Sequence, residues 1–370
     1  MDSSNLTIAI VGGGYGGLAA AKALSVAGAN VTVYEQASEI KEVGAGIGLR
    51  PSSMDQFRRW GAFDAVAGVS NPSESFEILT ADAHPIAEET WPEADVFGVT
   101  THLIHRGDFI DALYSVLPEG MVKLGHRLEK ITDNGANATL EFANGETATA
   151  DLVIGADGIK SVVREQLFSD QQPVFAGEHA YRVVIDDPEC LEMVADGKLR
   201  MYLGHGTKVY LLPLLSRGQV SFDITALDAD STWAPQVDLD YIVNTVKGFD
   251  ERIVNITKRL DVSAVNMRAV YDIDPVEVWH SDSVVLLGDA AHAMCHHQGQ
   301  GANSAILDAG AIADALTEAA SVPEALAAYT AKRKPVTDEL QRISRQGWNE
   351  DEVNDVFPGQ KPATMAAAQG

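Results

Sequence analysis

The chain opens with apolar runs separated by an alanine-rich stretch. Residues 6–11 (LTIAIV) are mostly apolar and β-branched, the pattern of a strand buried on both faces. Residues 18–27 have high helix propensity and no breaker, and Gly28 follows where a helix C-terminus favours glycine. A second buried strand is predicted over 31–34. Next comes a helix over 53–60, with Ser52 or Ser53 as N-cap and Gly61 at its end. Residues 73–100 read as short strands broken at Pro85 and Pro92. Residues 109–117 read as an amphipathic helix stopped by Pro118-Glu119-Gly120. Asn134-Gly135 and Asn144-Gly145 mark hairpin turns between strands in 121–150.

A buried strand then runs through DLVIGADG, residues 151–158. The pattern changes over 173–270, where short apolar segments at 181–185, 199–203, 209–215 and 220–225 are separated by turns. That predicts a mostly antiparallel sheet, with one helix at 241–248. A last buried strand at 284–287 leads into Gly288-Asp289, followed by helices over 303–320 and 323–346. The tail after Trp348 is expected to be loose. The fold class is therefore α/β: a Rossmann-like domain, discontinuous in sequence, a second and mostly antiparallel sheet domain, and C-terminal helices. The expected division is 1–72, 101–172 and 271–346 for the first domain, 73–100 and 173–270 for the second, and 347–370 as a tail.

Composition narrows the partners. The balance of 27 basic and 53 acidic residues gives a net charge of −26, which disfavours nucleic acid and anionic membranes. Only Cys190 and Cys295 are present, far apart, so neither a disulfide framework nor a Cys-based zinc site is expected. The first residues carry no basic leader, and no run of 18 apolar residues exists, so a cytoplasmic protein without a membrane span is expected.

The densest chemistry is the first strand–turn–helix–strand unit. Gly12-x-Gly14-x-x-Gly17 lies between a strand and a helix, and Glu35 ends the next strand, 23 residues after Gly12. Gly12 permits a tight turn, Gly14 lets a pyrophosphate approach the backbone, and Gly17 lets helix and strand pack closely. The helix N-terminus offers N–H groups to an anion. A 2′-phosphate on the ribose would meet Glu35, so FAD or NAD is expected rather than NADP. Two further strand ends carry similar turns, Gly155–Gly158 with Asp157 and Gly288 with Asp289. Each aspartate taken alone reads equally as a helix N-cap. Together they set backbone donors and two carboxylates at one sheet edge, where ligands of such folds bind.

The stretches VGGGYGGLAAAKAL, VGAGIGLRPSS, HRGDFIDAL, DLVIGADGIKSVVR and VVLLGDAAHAM…HQGQGANSAILDA occur in order over residues 6–315. On these stretches the chain resembles the single-component FAD-dependent aromatic hydroxylases, typified by p-hydroxybenzoate and salicylate hydroxylases. YLGHGTKVYLLPL is similar to the sheet segment covering the substrate in the salicylate and urate branches. The resemblance implies non-covalent FAD held by Gly12, Gly14, Tyr15, Gly17, Glu35, Arg50, Arg106, Asp157, Gly288, Asp289, Gly299, Gly301, Ala302 and Asn303. Within that set, Glu35 would take the adenosine ribose, Arg106 the pyrophosphate and Asp289 the ribityl chain. The Gly299–Asn303 segment would present N–H groups to the flavin pyrimidine edge, where a helix N-terminus stabilises negative charge.

The same resemblance implies NADH or NADPH as co-substrate, O₂, addition of oxygen at flavin C4a, and transfer of the distal oxygen of that hydroperoxide to a small aromatic or N-heteroaromatic ring. A monomer or homodimer fits it. The sheet domain would be the lid that keeps water out. Candidate substrate contacts there are Tyr181, Arg182, Tyr202, Tyr210 and Phe222, with ordinary sheet packing as the competing reading of each. Candidate catalytic residues are His296, His297 and His205. His296 stands where the family usually has proline; His205 lies in a Gly-His-Gly turn. A flavin dehydrogenase on the same fold, without oxygen insertion, stays open. A disulfide-type flavin reductase does not, since the chain has neither a second Gly-x-Gly-x-x-Gly domain nor a paired-cysteine centre.

Overall fold

The computed structural model describes residues 6–39 and 44–367. Expectations for residues 1–5, Val43 and 368–370 lie outside the described residues. Five parallel strands form the first sheet, in the order Val284–Leu286, Leu152–Gly155, Thr7–Val11, Asn30–Tyr34, Val122–Lys123. Register aligns their carboxyl ends: Val11 lies opposite both Gly155 and Tyr34, and Gly155 opposite Leu286. The three glycine-containing turns and Glu35 therefore emerge side by side. Helices Tyr15–Val26 and Gly301–Glu318 pack closely near this edge; a Cβ on Gly16 would stand 3.0 Å from Leu287 and 3.2 Å from Ala305.

The hairpins at Asn134-Gly135 and Asn144-Gly145 join Leu128–Asp133, Ala138–Phe142 and Thr147–Ala150 into a small antiparallel sheet. A further seven-stranded sheet runs Asn266–Asp272, Val174–Ile185, Gln219–Leu227, Thr207–Leu214, Leu199–Gly204, Ser75–Thr80, Pro85–Thr90. Its neighbours are antiparallel except Leu199–Gly204 and Ser75–Thr80. Pro85 begins the edge strand, where its missing N–H breaks no ladder. One face of this sheet is a hydrophobic core shared with helices Leu239–Thr245 and Glu251–Lys258, through Ile242, Val246, Ile253 and Ile256. The second of these helices was not expected from the sequence.

Several boundaries differ from expectation for local reasons. The helix expected at 53–60 is Pro51–Arg59, with Arg50 at the N-cap and no side-chain cap. Proline at the first position presets the helical φ, and Ser53 turns its hydroxyl to Asn303 Oδ1 at 2.7 Å. The helix expected from 109 starts at Arg106, because His105 Nδ1 accepts from Gly107 N at 3.2 Å. The loose tail is a correction. Glu350–Val356 opens with a capping box of Asn349 and Glu352, Ala363–Ala367 follows, and Val353 and Met365 bury against Leu227.

Candidate functional site

The three glycines of the first turn behave differently. Gly12 has φ 108°, and a Cβ there would strike the Ala156 carbonyl oxygen at 2.3 Å. A Cβ on Gly17 would lie 2.0 Å from the Gly12 oxygen, so strand and helix touch backbone to backbone. Gly14 is exposed and has no atom within 4 Å of a Cβ position: it faces open space. Glu35 closes the turn from the side, its Oε2 accepting from Gly13 N at 2.6 Å and its Oε1 from Ala37 N at 2.8 Å. The Arg106 guanidinium lies 5.3 Å above the Tyr15 ring, and Arg50 lies 4.8 Å above Trp91 while donating to the Gln298 carbonyl at 3.3 Å.

The two aspartates take different parts. Asp157 braces the start of the helix Val162–Leu167, whose N-cap is Ser161, accepting from Ser161 Oγ at 2.5 Å and Val162 N at 2.7 Å. Asp289, after left-handed Gly288, makes no hydrogen bond or ion pair among the described residues, and its carboxylate stays accessible. Desolvation by neighbouring protein atoms pushes its carboxyl up, with His292 and Arg106 opposing. The turn is braced from beneath by Asp308, which accepts from Gly288 N at 3.1 Å, meets His292 Nε2 at 2.6 Å and pairs with Arg333 Nε at 2.6 Å.

Asn303 uses all its side-chain capacity within the protein. Its Oδ1 accepts from Arg50 N at 2.8 Å and Ser53 Oγ, and its Nδ2 donates to the Gly48 and Gly299 carbonyls at 2.9 and 3.0 Å. Its amide side chain therefore clamps loops together. The N–H groups of Gly301, Ala302 and Asn303 open an 18-residue helix and have no intrahelical acceptor. The open Gly14, the unpartnered Asp289 and these N–H groups fit FAD: an anion-tolerant turn, a polyol acceptor and a donor edge.

Cross-strand register sorts the expected substrate contacts. Tyr181, Tyr202 and Phe222 point to the core face of the seven-stranded sheet and are buried there, a correction imposed by strand alternation. Arg182, Tyr210 and Asp223 lie opposite one another on the other face. Arg182 forms no ion pair among the described residues; burial lowers its pKa and Asp223 opposes. Burial raises the Asp223 carboxyl to about 6 against the pull of Arg182, the Ser221 hydroxyl and Arg106. Burial also raises Tyr210, aided by Glu178 and Asp223. His296 shares this face: its Nε2 lies 2.9 Å from Thr225 Oγ1, and its ring lies 6.4 Å from that of Tyr210. Burial and the neighbouring His297 push His296 down to about 3, so it is neutral through the physiological range. His297 Nε2 stands 3.0 Å from Glu178 Oε1.

His205 is a second correction. It is exposed on a turn and pairs at 2.7 Å with exposed Asp355, so the fold does not bring it to His296 and His297. Asp223 and Glu178 were not singled out from the sequence. The alternation Val220-Ser221-Phe222-Asp223-Ile224-Thr225 carries the signal for Asp223, since every second residue is polar. A cavity of about 490 Å³ lined by Asp274, Pro335, Arg342 and Arg345 shares none of these residues.

A family model described as FAD binding domain matches residues 5–344. The 6-hydroxynicotinate 3-monooxygenase of Pseudomonas fluorescens is 33% identical over 402 residues, covering 99% of this chain and 100% of that enzyme. A salicylate hydroxylase of Pseudomonas putida is 29% identical over 392 residues, covering 96% of this chain and 87% of that enzyme. In fold, the chain matches Klebsiella pneumoniae HpxO complexed with FAD and uric acid at TM-score 0.85 and 23% identity, over 99% of this chain and 92% of that one.

Proposed function

The chain belongs to the FAD binding domain family, among the single-component FAD-dependent aromatic hydroxylases, and on that premise we propose that it inserts one atom of O₂ into a small aromatic or N-heteroaromatic ring, with NADH or NADPH as reductant. The observation that carries this reading is a shared segment. Residues 296–303 present His296 to the polar sheet face and the Gly301–Asn303 N–H groups to the edge of the parallel sheet. The surfaces proposed for cofactor and substrate thus share one loop. The similarity to enzymes named for hydroxynicotinate and salicylate supports a small ring as substrate. We further propose that 1–72, 101–172 and 271–346 hold the cofactor and 73–100 and 173–270 the substrate.

Bound FAD, once reduced by the nicotinamide, would supply the electrons that activate oxygen. The protein's own groups then have defined tasks. Glu35 would take the adenosine ribose, Asp289 would accept from ribityl hydroxyls, and the helix N-terminus at Gly301 would stabilise negative charge on the pyrimidine edge. The sheet would close the far side against water. On its face Asp223 and Tyr210 can hold a proton at a ring substituent, and Arg182 offers donors to an oxygen. Neutral His296 is tied to Thr225, suited to pass a proton rather than to store one.

The test is direct. Purified protein should be yellow with one FAD per chain, and a panel of hydroxylated aromatics and N-heteroaromatics should contain members that accelerate NAD(P)H oxidation. Colourless protein that fails to quench the fluorescence of added FAD would contradict the proposal.

A further inference from the structure

Glu178 is wholly buried on the Val174–Ile185 strand, facing the loop that begins at Ala293. Burial favours its neutral form, yet His297 and the Trp348 N–H oppose it, and the carboxyl is held at about 2. Its Oε2 accepts from Trp348 Nε1 at 2.7 Å, and its Oε1 meets His297 Nε2 at 3.0 Å. A buried charge is retained only where partners compensate its desolvation. Here the partners come from two separate segments, the loop and the chain after the last long helix.

His297 is enclosed on every side. A Cβ on Gly347 would strike its ring at 2.3 Å, the Trp348 ring stands edge-on at 5.7 Å, and His296 stacks on it at 4.9 Å. Lys208 reinforces the wall, donating to the Gly347 carbonyl and lying 4.1 Å above Trp348. The loop has no proline between Ala293 and Asn303, so its stiffness must come from side chains. Its other end is tied by Gln341 Nε2, which donates to the Ala293 carbonyl at 3.1 Å.

We propose that Glu178 is a positioning residue: with Trp348 it latches His297, and thereby fixes the His296–Gln298 turn and the Gly301–Asn303 N–H groups against the place the flavin would take. The residues after the long helix are then part of the site's frame. Only the coupling readout below rests on the monooxygenase reading.

The experiment is amide hydrogen exchange by mass spectrometry on Glu178→Gln and Trp348→Phe, with and without FAD. Exchange over 294–301 should quicken about tenfold in both variants, while residues 12–17 keep their wild-type rate. FAD affinity should stay within about threefold, and peroxide released per NAD(P)H oxidised should rise several-fold. Adding His296→Pro should restore slow exchange in the Glu178→Gln background. Cys295, at φ −60° and ψ 147°, already has the conformation favoured before proline, and His296 opens the turn. If Glu178→Gln does not fold, Trp348→Phe decides alone. Wild-type exchange over 294–301, or equal quickening at 12–17, would overturn the latch. Exchange needs no turnover, so the latch is tested even if no aromatic is oxygenated.

Discussion

The edge of the parallel sheet and the polar face of the seven-stranded sheet meet at one loop, but they are made of different material. The edge is backbone: Gly12 and Gly17 sit where a single methyl would collide with a carbonyl oxygen. The face is side-chain charge: Arg182, Asp223, Glu178 and Lys208 share one side of a sheet whose other side is apolar core. A backbone cradle suits a ligand common to a whole family. A face set by replaceable side chains suits the part of the reaction that differs between relatives.

Substitutions should separate the two regions. The largest effect is expected at Gly17→Ala, where the 2.0 Å approach to the Gly12 oxygen cannot relax without moving strand or helix; a loss of about 3 kcal/mol in urea unfolding is expected. Gly14→Ala meets nothing within the protein and should leave apoprotein stability within about 0.5 kcal/mol. It should weaken FAD binding all the same. Equal stability losses in both variants would break the assignment of separate roles. Asp289→Ala removes a carboxylate that bonds nothing among the described residues. The apoprotein should therefore lose no stability, while FAD affinity falls by tenfold or more, or about 1.5–3 kcal/mol.

The polar face should respond to pH. The Asp223 carboxyl is raised in the folded chain to about 6 from 3.8. A raised carboxyl stabilises the fold fully below its unfolded value, and that stabilisation is lost as pH rises through 6. Asp223→Asn, permanently neutral, should gain about 1–2 kcal/mol over wild type at pH 8 and almost nothing at pH 4. A gain of equal size at both pH values would show that the raised carboxyl is not the cause. The smallest effect is expected at His205→Ala, within about 0.5 kcal/mol, because its pair with Asp355 is exposed. A large fall in kcat there would reinstate it as a catalytic group.

The cofactor edge was legible because its requirements are local. A strand, three glycines, a helix and an acid lie within residues 6–35, and Gly12 and Gly17 have the steric reason the spacing implied. The sheet face was half legible. Arg182 and Tyr210 lie on the polar face, whereas Tyr181, Tyr202 and Phe222 point into core, since a one-residue step reverses the side of a strand. Glu178, Trp348 and Asp308 were missed because their meaning lies in long-range pairing, such as 170 residues between Glu178 and Trp348. The tail was misread for the same reason: its few apolar residues find Leu227, which only the fold brings near.

Oxygen insertion at the junction of these two regions is the claim on which the rest depends. Turnover under ¹⁸O₂ with an aromatic that accelerates NAD(P)H oxidation, followed by product mass spectrometry, puts it to trial. The expected product is heavier by one ¹⁸O atom, with no label acquired when ¹⁸O is supplied only as water. Product formed at full rate without label would contradict oxygen insertion and leave a flavin dehydrogenase on the same fold.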